Sequence, residues 1–209
     1  MTACTAYIDA AYIDLGFAQV KLPAGTHICQ IYRNEDERND ALLKFLLQGL
    51  RAGECNACFS RGISEEMLRT YFSHNEVSLD ESLQSGALSL ADAEDIYFKN
   101  GRFDPDLMLD SLADFYSRTV NEGYPAARII GEMLPDIIHK PGGERLLEYE
   151  SMVTIFLKKH PITTVCQYDA QAFDGAMIMD ILKVHPMMVV RGTVIHNPFF
   201  VPPEEFLGR

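Results

Sequence analysis

Five cysteines and six histidines are few enough in this 209-residue chain to be weighed one by one for chemistry. Cys55-Asn56-Ala57-Cys58 has the CxxC spacing of a redox or metal-binding pair. Redox use of that spacing needs a thiolate at the start of a helix. Here the run reads as a strand, where positions i and i+3 face opposite ways, so the two thiols are expected to be structural. His27, Cys29 and Cys166 could approach one another if the strands that carry them are neighbours, and with His185 or His196 they would form a soft donor set. No compact ligand spacing supports that arrangement, and buried cysteine usually packs as a small hydrophobe. No metal and no cofactor is therefore assigned. Glu148 and Glu150 lie two apart on a helix and face different directions. One can reach a site while the other is solvated, which is not the arrangement of a paired-carboxylate hydrolase.

Phosphate chemistry lacks its parts. A phosphate-binding loop needs GxxxxGK[ST] after a strand, but Tyr32 to Asp40 reads YRNEDERND, with no glycine and four acids. No GxGxxG and no GxSxG occurs, so neither a dinucleotide site nor a nucleophile elbow is supported.

The elements that would position these residues alternate. Thr26–Tyr32 predicts a strand, and Asn34 with Glu37 three residues on predicts a capped helix that Gly53 ends. Cys55–Ser60 is a second strand, followed by a helix from Ser64 to near His74. Ala87–Leu90 is a third strand. Asp104-Pro105 opens a helix running to Gly123. Ala127–Leu134 and Ile162–Tyr168 are strands around a helix over Glu144–Lys159, and Asp174 caps a last helix to His185. Met187–Arg191 and Thr193–His196 make a hairpin about Arg191-Gly192. Repeated strand–helix alternation with long connections predicts βαβ units. The fold class is therefore α/β, a three-layer sandwich with a mostly parallel sheet and a C-terminal antiparallel hairpin. Residues 1–23 lack a clear period and read as an N-terminal arm, helical at most, before one domain over 24–209.

Ligands of open parallel sheets bind outside the carboxyl ends of the strands. The strands deliver Tyr32, Arg61, Glu132, Cys166, Tyr168 and Asp169 to that edge. These residues are read as a small-molecule site, with Tyr32, Glu132, Tyr168 and Asp169 orienting a mostly apolar ligand and Arg61 as an anion partner. The proline-rich tail after His196 carries Phe199 and Phe200 and predicts a docked, extended segment. It is expected to fold back as a lid over His196 and Tyr168, with a second subunit, and hence a homo-oligomer, as the alternative.

Charge excludes partners. Eighteen Lys and Arg against thirty Asp and Glu give −12, which disfavours nucleic acid and an anionic membrane. Residues 76–114 hold ten of the acids and two bases, Lys99 and Arg102. They read as a solvated face, or as a docking surface if the domain is a ligand-free interaction module. No long apolar run predicts a membrane span. The absence of a secretory leader and an odd cysteine count predict a cytoplasmic location.

The run HICQIYRNEDERNDALLKFLLQGLRAGE, followed in order by SGALSLADAEDIYFKNGRFDPDLML, GYPAARIIGEM, GGERLLEYE, CQYD and HPMMVVRGTVIHNPFFVPPEEFL, resembles the MEDS family of DcmR-like sensory domains. The resemblance covers about residues 24–207. It implies a RecA/KaiC-like fold lacking a phosphate loop. It also implies a cytoplasmic, non-catalytic role in signal transduction or transcriptional regulation, sensing a small hydrocarbon derivative. Multidomain members carry a DNA-binding domain or a histidine kinase. Neither fits in the residues flanking the domain here, so the expected output is a regulatory protein partner of one of those kinds rather than direct promoter binding. The reading from a different class is a RecA-like nucleotide-dependent enzyme with Glu132 as general base.

Overall fold

The structure, a computed structural model, describes residues 12–208. Residues 1–11 of the expected arm, with Cys4, lie outside the described residues. The elements in chain order are β1 (Tyr12–Asp14), β2 (Lys21–Pro23), β3 (His27–Tyr32), α1 (Glu35–Arg51), β4 (Cys55–Phe59), α2 (Glu65–His74), α3 (Leu79–Gln84), β5 (Leu88–Ala91) and α4 (Ala93–Tyr97). There follow α5 (Pro105–Asn121), β6 (Ala127–Glu132), α6 (Leu146–Leu157), β7 (Ile162–Asp169), α7 (Gly175–Val184), β8 (Met187–Val190), β9 (Thr193–His196) and α8 (Pro203–Phe206).

Seven strands form one sheet in the order β5-β4-β6-β7-β3-β8-β9. Every neighbouring pair is parallel except β8 with β9, the hairpin at the edge. The α/β sandwich expected from the alternation is thus present. Caps set the helix starts as their residue types require. Asn34 accepts from the Glu37 N–H at 3.0 Å, Ser64 from Met67, Asp104 from Asp106 and Leu107, and Asp174 from Met177.

The strand period of two sorts side chains onto two cores. Ile28, Cys58, Ile130 and Val165 face α1 and α2, whereas Cys29, Ala57, Ile129 and Cys166 face α5, α6 and α7. Helix α6 packs against both α5 and α7 and is apolar nearly all round, as a helix between two others must be. On the other face, α1 lies so close to the sheet that a Cβ at Gly49 would stand 2.1 Å from Asn56 Oδ1. This closeness seats the buried Arg128 of β6, which binds Glu54 Oε2 at 2.6 Å, the Phe45 carbonyl at 2.9 Å and the Asp14 carbonyl at 3.2 Å.

Two segments differ from expectation. Part of the arm, expected to be helical at most, is a two-stranded antiparallel ladder in which Ile13, Leu15 and Leu22 are buried against α1. Three-residue strands give no readable period. The tail after His196 is not simply extended, because Pro203–Phe206 forms a helical turn with proline at its start. The tail does fold back on its own chain. Asn197 Nδ2 donates to the carbonyls of Leu182 (2.6 Å) and His185 (2.8 Å), and the Val201 N–H donates to Lys183. Phe200 docks, but Phe199 remains 48% exposed.

Asn197→Ala leaves the His185 carbonyl without its side-chain donor, at roughly 1–3 kcal/mol, and the Leu182 carbonyl with only the long 3.5 Å bond from the His185 N–H. The expected result is a fall in Tm of about 2–12 °C, given 2–4 °C per kcal/mol at this size. Thermal denaturation followed by circular dichroism checks it, and an unchanged Tm would show that the tail is not anchored at α7.

Candidate functional site

Two buried polar groups lie on opposite faces of the sheet. The first is at the strand carboxyl ends, on the α1 face. Only Arg33 and Asn34 connect β3 to α1, so the first turn of α1, Glu35-Asp36-Glu37, occupies the position a phosphate loop would need. Arg38, 1% exposed, turns back from that turn into the crevice. Its Nη1 meets Glu132 Oε1 at 2.8 Å and its Nη2 meets Glu35 at 2.5 Å. The second oxygen of Glu132 accepts from Ser60 Oγ at 2.7 Å and from the Arg61 N–H at 3.0 Å. The Tyr32 hydroxyl lies 3.5 Å from Oε1, and burial, then the Glu132 charge, raises its pKa. Gly62 leaves the guanidinium its space, since a Cβ there would be 2.6 Å from Nη2. The Gln167 amide donates to Gln30 Oε1 and to the Arg38 carbonyl, tying β7 to the start of α1.

The second group is on the α6 face. Glu150 of α6, fully buried, places Oε2 at 3.3 Å from His27 Nε2, 3.5 Å from His185 Nε2 and 3.8 Å from Cys166 Sγ. Cys166 Sγ is 3.4 Å from His27 Nε2. Tyr168 donates its hydroxyl to Glu150 Oε1 at 2.7 Å. Burial alone would push the Glu150 carboxyl up, but the His185 and His27 rings more than offset it and hold the group well below the usual carboxylate range. Burial, then the neighbouring His185 ring, lowers His27 to about 4, so it is neutral near pH 7. Burial, then the Glu150 charge, pushes the Cys166 thiol well up.

Concave space adjoins this second group on two sides. A small, mostly enclosed cavity of about 20 Å³ touches Glu150 and Cys166 beside Gly131 and Tyr97, room for about one water. A pocket of about 340 Å³ at the amino ends of the strands is floored by His27 and Thr154 and walled by Pro186, Met187, Phe200 and Pro203. A larger open groove of about 590 Å³ lies along α2 beside Leu43 of α1 and meets neither group.

The residues expected to form one site are divided by these positions. Tyr32, Glu132 and Asp169 share the α1 face at the carboxyl ends, joined by the backbone of Arg61. The Arg61 guanidinium turns outward to Glu94 at 2.7 Å, and Asp169 accepts from the Gln171 N–H in a local turn. Cys166 and Tyr168 face the other way and belong with Glu150. His196 is registered with Met187, which starts β8 beside Ile28. It therefore lines the amino-end pocket, and the lid lies there rather than over Tyr168. Sorting the strand-end residues by parity would have made the first separation, and pairing β9 back from the Arg191-Gly192 turn the second.

Other expectations held locally. β3 and β7 are neighbours and bring His27 and Cys166 together, joined by His185 but not by His196. Glu150 is buried while Glu148 is bound outward by Arg145. Cys55 and Cys58 are buried free thiols, and burial holds Cys58 near 12. Of the ten acids between 76 and 114, Asp92 and Asp104 are helix caps, and Asp80, Glu94 and Asp106 each pair with an arginine. Half of the acidic face is thus already engaged within the chain. Arg38 was passed over because a basic residue in an acidic helix start reads as solvated.

The MEDS family model, described as MEthanogen/methylotroph, DcmR Sensory domain, matches residues 26–186. The chain is 27% identical over 167 residues to the transcriptional repressor DcmR of Methylorubrum extorquens (strain DSM 6343 / CIP 106787 / DM4). That match covers 76% of this chain and 57% of the repressor, so the chain spans little more than half of that relative's length. Among solved structures, the KaiC-like protein PH0186 from Pyrococcus horikoshii OT3 aligns with a TM-score of 0.61 at 12% identity, over 86% of this chain and 79% of that one. The flagellar accessory protein FlaH from Methanocaldococcus jannaschii gives 0.61 at 14%, over 89% and 84%. At these identities the two structures establish a shared fold and nothing more. Among the described residues no helix is long and apolar enough to cross a membrane.

Glu132→Gln should cost roughly 3 kcal/mol, because it leaves Arg38 buried with only the exposed Glu35 to neutralise it. Adding Arg38→Met should recover most of that loss. A double-mutant cycle by urea denaturation measures the coupling, and additive losses would show that the two side chains do not act as a pair.

Proposed function

This chain belongs to the MEDS family, and from that premise we propose that it is a non-catalytic sensory domain that binds a small hydrocarbon derivative. In this reading it passes the signal to a regulatory protein partner, a histidine kinase or a DNA-binding regulator. The observation that carries the non-catalytic reading is the Arg38–Glu132 pair. The crevice in which this architecture usually binds its ligand holds the protein's own Arg38 guanidinium on Glu132 Oε1, while Ser60 and the Arg61 N–H occupy Oε2. Glu132 has no free oxygen with which to act as a general base, and the acidic first turn of α1 repels a polyphosphate.

The ligand site favoured by this geometry is the amino-end pocket. At about 340 Å³ it has the size of a small-molecule site, with apolar walls and a few polar groups at the floor. Such a lining suits an apolar molecule carrying one polar group. His196 stands at its rim and Phe200 in its roof. Tyr32, Glu132 and Asp169, with the Arg61 backbone, then serve as a latch that keeps the carboxyl ends closed. Cys166 lies behind the pocket floor, next to His27, and Tyr168 reaches the same group through Glu150.

A thermal-shift screen over halocarbons, alcohols, methylated amines and small acids tests the sensor reading. A ligand at 100 times its Kd stabilises by about 2.7 kcal/mol, about 5–10 °C in Tm at this size, and Phe200→Ser should abolish the response. Titration calorimetry with ATP and magnesium should give no heat of binding. Micromolar ATP binding, or a ligand response untouched by Phe200→Ser, would overturn the sensor reading or its pocket respectively.

A further inference from the structure

The four side chains His27, Glu150, Cys166 and His185 come from β3, α6, β7 and the end of α7, and each sends one donor atom to a common point. All four atoms lie within 4.8 Å of one another and all four residues are buried. We propose that this quartet is a binding site for one divalent transition-metal ion of the zinc class, with an N₂OS donor set.

The spacing matches what such an ion imposes. Two ligands at 2.0–2.1 Å on tetrahedral directions stand about 3.3 Å apart, and a nitrogen or oxygen stands about 3.6 Å from a sulfur at 2.3 Å. Four of the six separations are 3.3 and 3.5 Å for carboxylate oxygen to imidazole nitrogen, and 3.4 and 3.8 Å for two contacts of the sulfur, and the other two are within 4.8 Å.

The hydrogen bonds around the quartet orient its lone pairs. His185 Nδ1 lies 2.8 Å from the Ile181 carbonyl, an acceptor only, so Nδ1 carries a proton and Nε2 is the nitrogen turned toward the quartet. That Nε2 is fully buried and has no hydrogen-bond partner among the described residues, with Glu150 Oε2 3.5 Å away. His27 Nδ1 lies 2.9 Å from the Thr154 hydroxyl, which has the Val184 and Glu150 carbonyls as acceptors of its own, so a proton on His27 Nδ1 would find an acceptor and leave Nε2 to face the ion. Tyr168 holds the other oxygen of Glu150. Every ligand that can have an outer partner has one, the arrangement that fixes ligands around a metal.

Charge gives the independent reason. A carboxylate, two imidazoles and a thiol share a dry interior here, where a buried carboxylate without a full counter-charge is costly. A divalent cation with the Glu150 carboxylate and the Cys166 thiolate sums to zero. The Cys166 proton leaves to solvent as the metal–sulfur bond forms. The amino-end pocket reaches the His27 ring and gives the ion its path. This site does not depend on the sensor reading, since it needs no organic ligand.

The test uses the full chain, stripped with a chelator and titrated with Zn²⁺ or Co²⁺ alone. The expected result is one ion per chain, with Co²⁺ giving a thiolate charge-transfer band and intense tetrahedral d–d bands. Cys166→Ser should lose the charge-transfer band. Tyr168→Phe, which removes only an outer hydroxyl and leaves the ring in place, should weaken Zn²⁺ binding roughly 10–100-fold. Circular dichroism confirms that each variant is folded. No stoichiometric binding by the folded wild-type chain would overturn the proposal. So would a Co²⁺ spectrum unchanged in Cys166→Ser, or a Zn²⁺ affinity unchanged in Tyr168→Phe.

Discussion

A charge taken out of water must be neutralised where it lies, and this fold is organised around three such charges. Arg128 joins β6 to α1 and to the N-terminal ladder through Glu54 and two carbonyls. Arg38 closes the carboxyl ends onto Glu132. Glu150 gathers two imidazoles, a thiol and a phenol on the opposite face. Coulomb attraction is strong in such surroundings, and an unmatched partner is correspondingly costly. The apolar residues make the sheet and its helices adhere, while these three ions fix which helix sits against which strand.

The two faces divide the labour. On the α1 face Glu132 has each oxygen engaged, so that it forms a closed set with Arg38, Ser60 and the Arg61 N–H, although the neighbouring Gln167 Oε1 is itself without a hydrogen-bonded partner. On the α6 face the ring nitrogen of His185 has no hydrogen-bonded partner, and a cavity and a pocket lie alongside. A closed set confers rigidity. An open one retains the capacity to respond to something arriving. The fold is shared with the KaiC-like and FlaH structures, and in this chain concave space lies both at the amino ends beside His27 and at the carboxyl ends beside Ser60 and Arg61.

The alternation of strands and helices was legible because each strand is a continuous apolar run bounded by a cap residue. Asn34, Ser64, Asp104 and Asp174 all cap where their types imply. The sites were legible in part. His27 with Cys166 followed from strand adjacency, and the unequal fates of Glu148 and Glu150 from helical geometry. Glu150 as the centre of that group was not readable, since no local pattern shows which way α6 turns its acid. Arg38 was hidden for a related reason: its burial depends on Gly62, twenty-four positions later, leaving room for it. The β1–β2 ladder is held by Arg128 and the α1 core, tertiary partners that a window of neighbours does not contain.

Asn197 grips the carbonyls of Leu182 and His185 with one amide group. It therefore ties the roof of the amino-end pocket to the last turn of α7, the turn that carries the His185 ring. Roof and ring are mechanically in series, and thermodynamic reciprocity applies to whatever each of them holds. If filling the pocket displaces the roof, the strain arrives at the imidazole. Any cation held by that imidazole in turn sets the stiffness against which the roof must move. A single asparagine thus makes the outer edge of the sheet and its most buried acid parts of one lever.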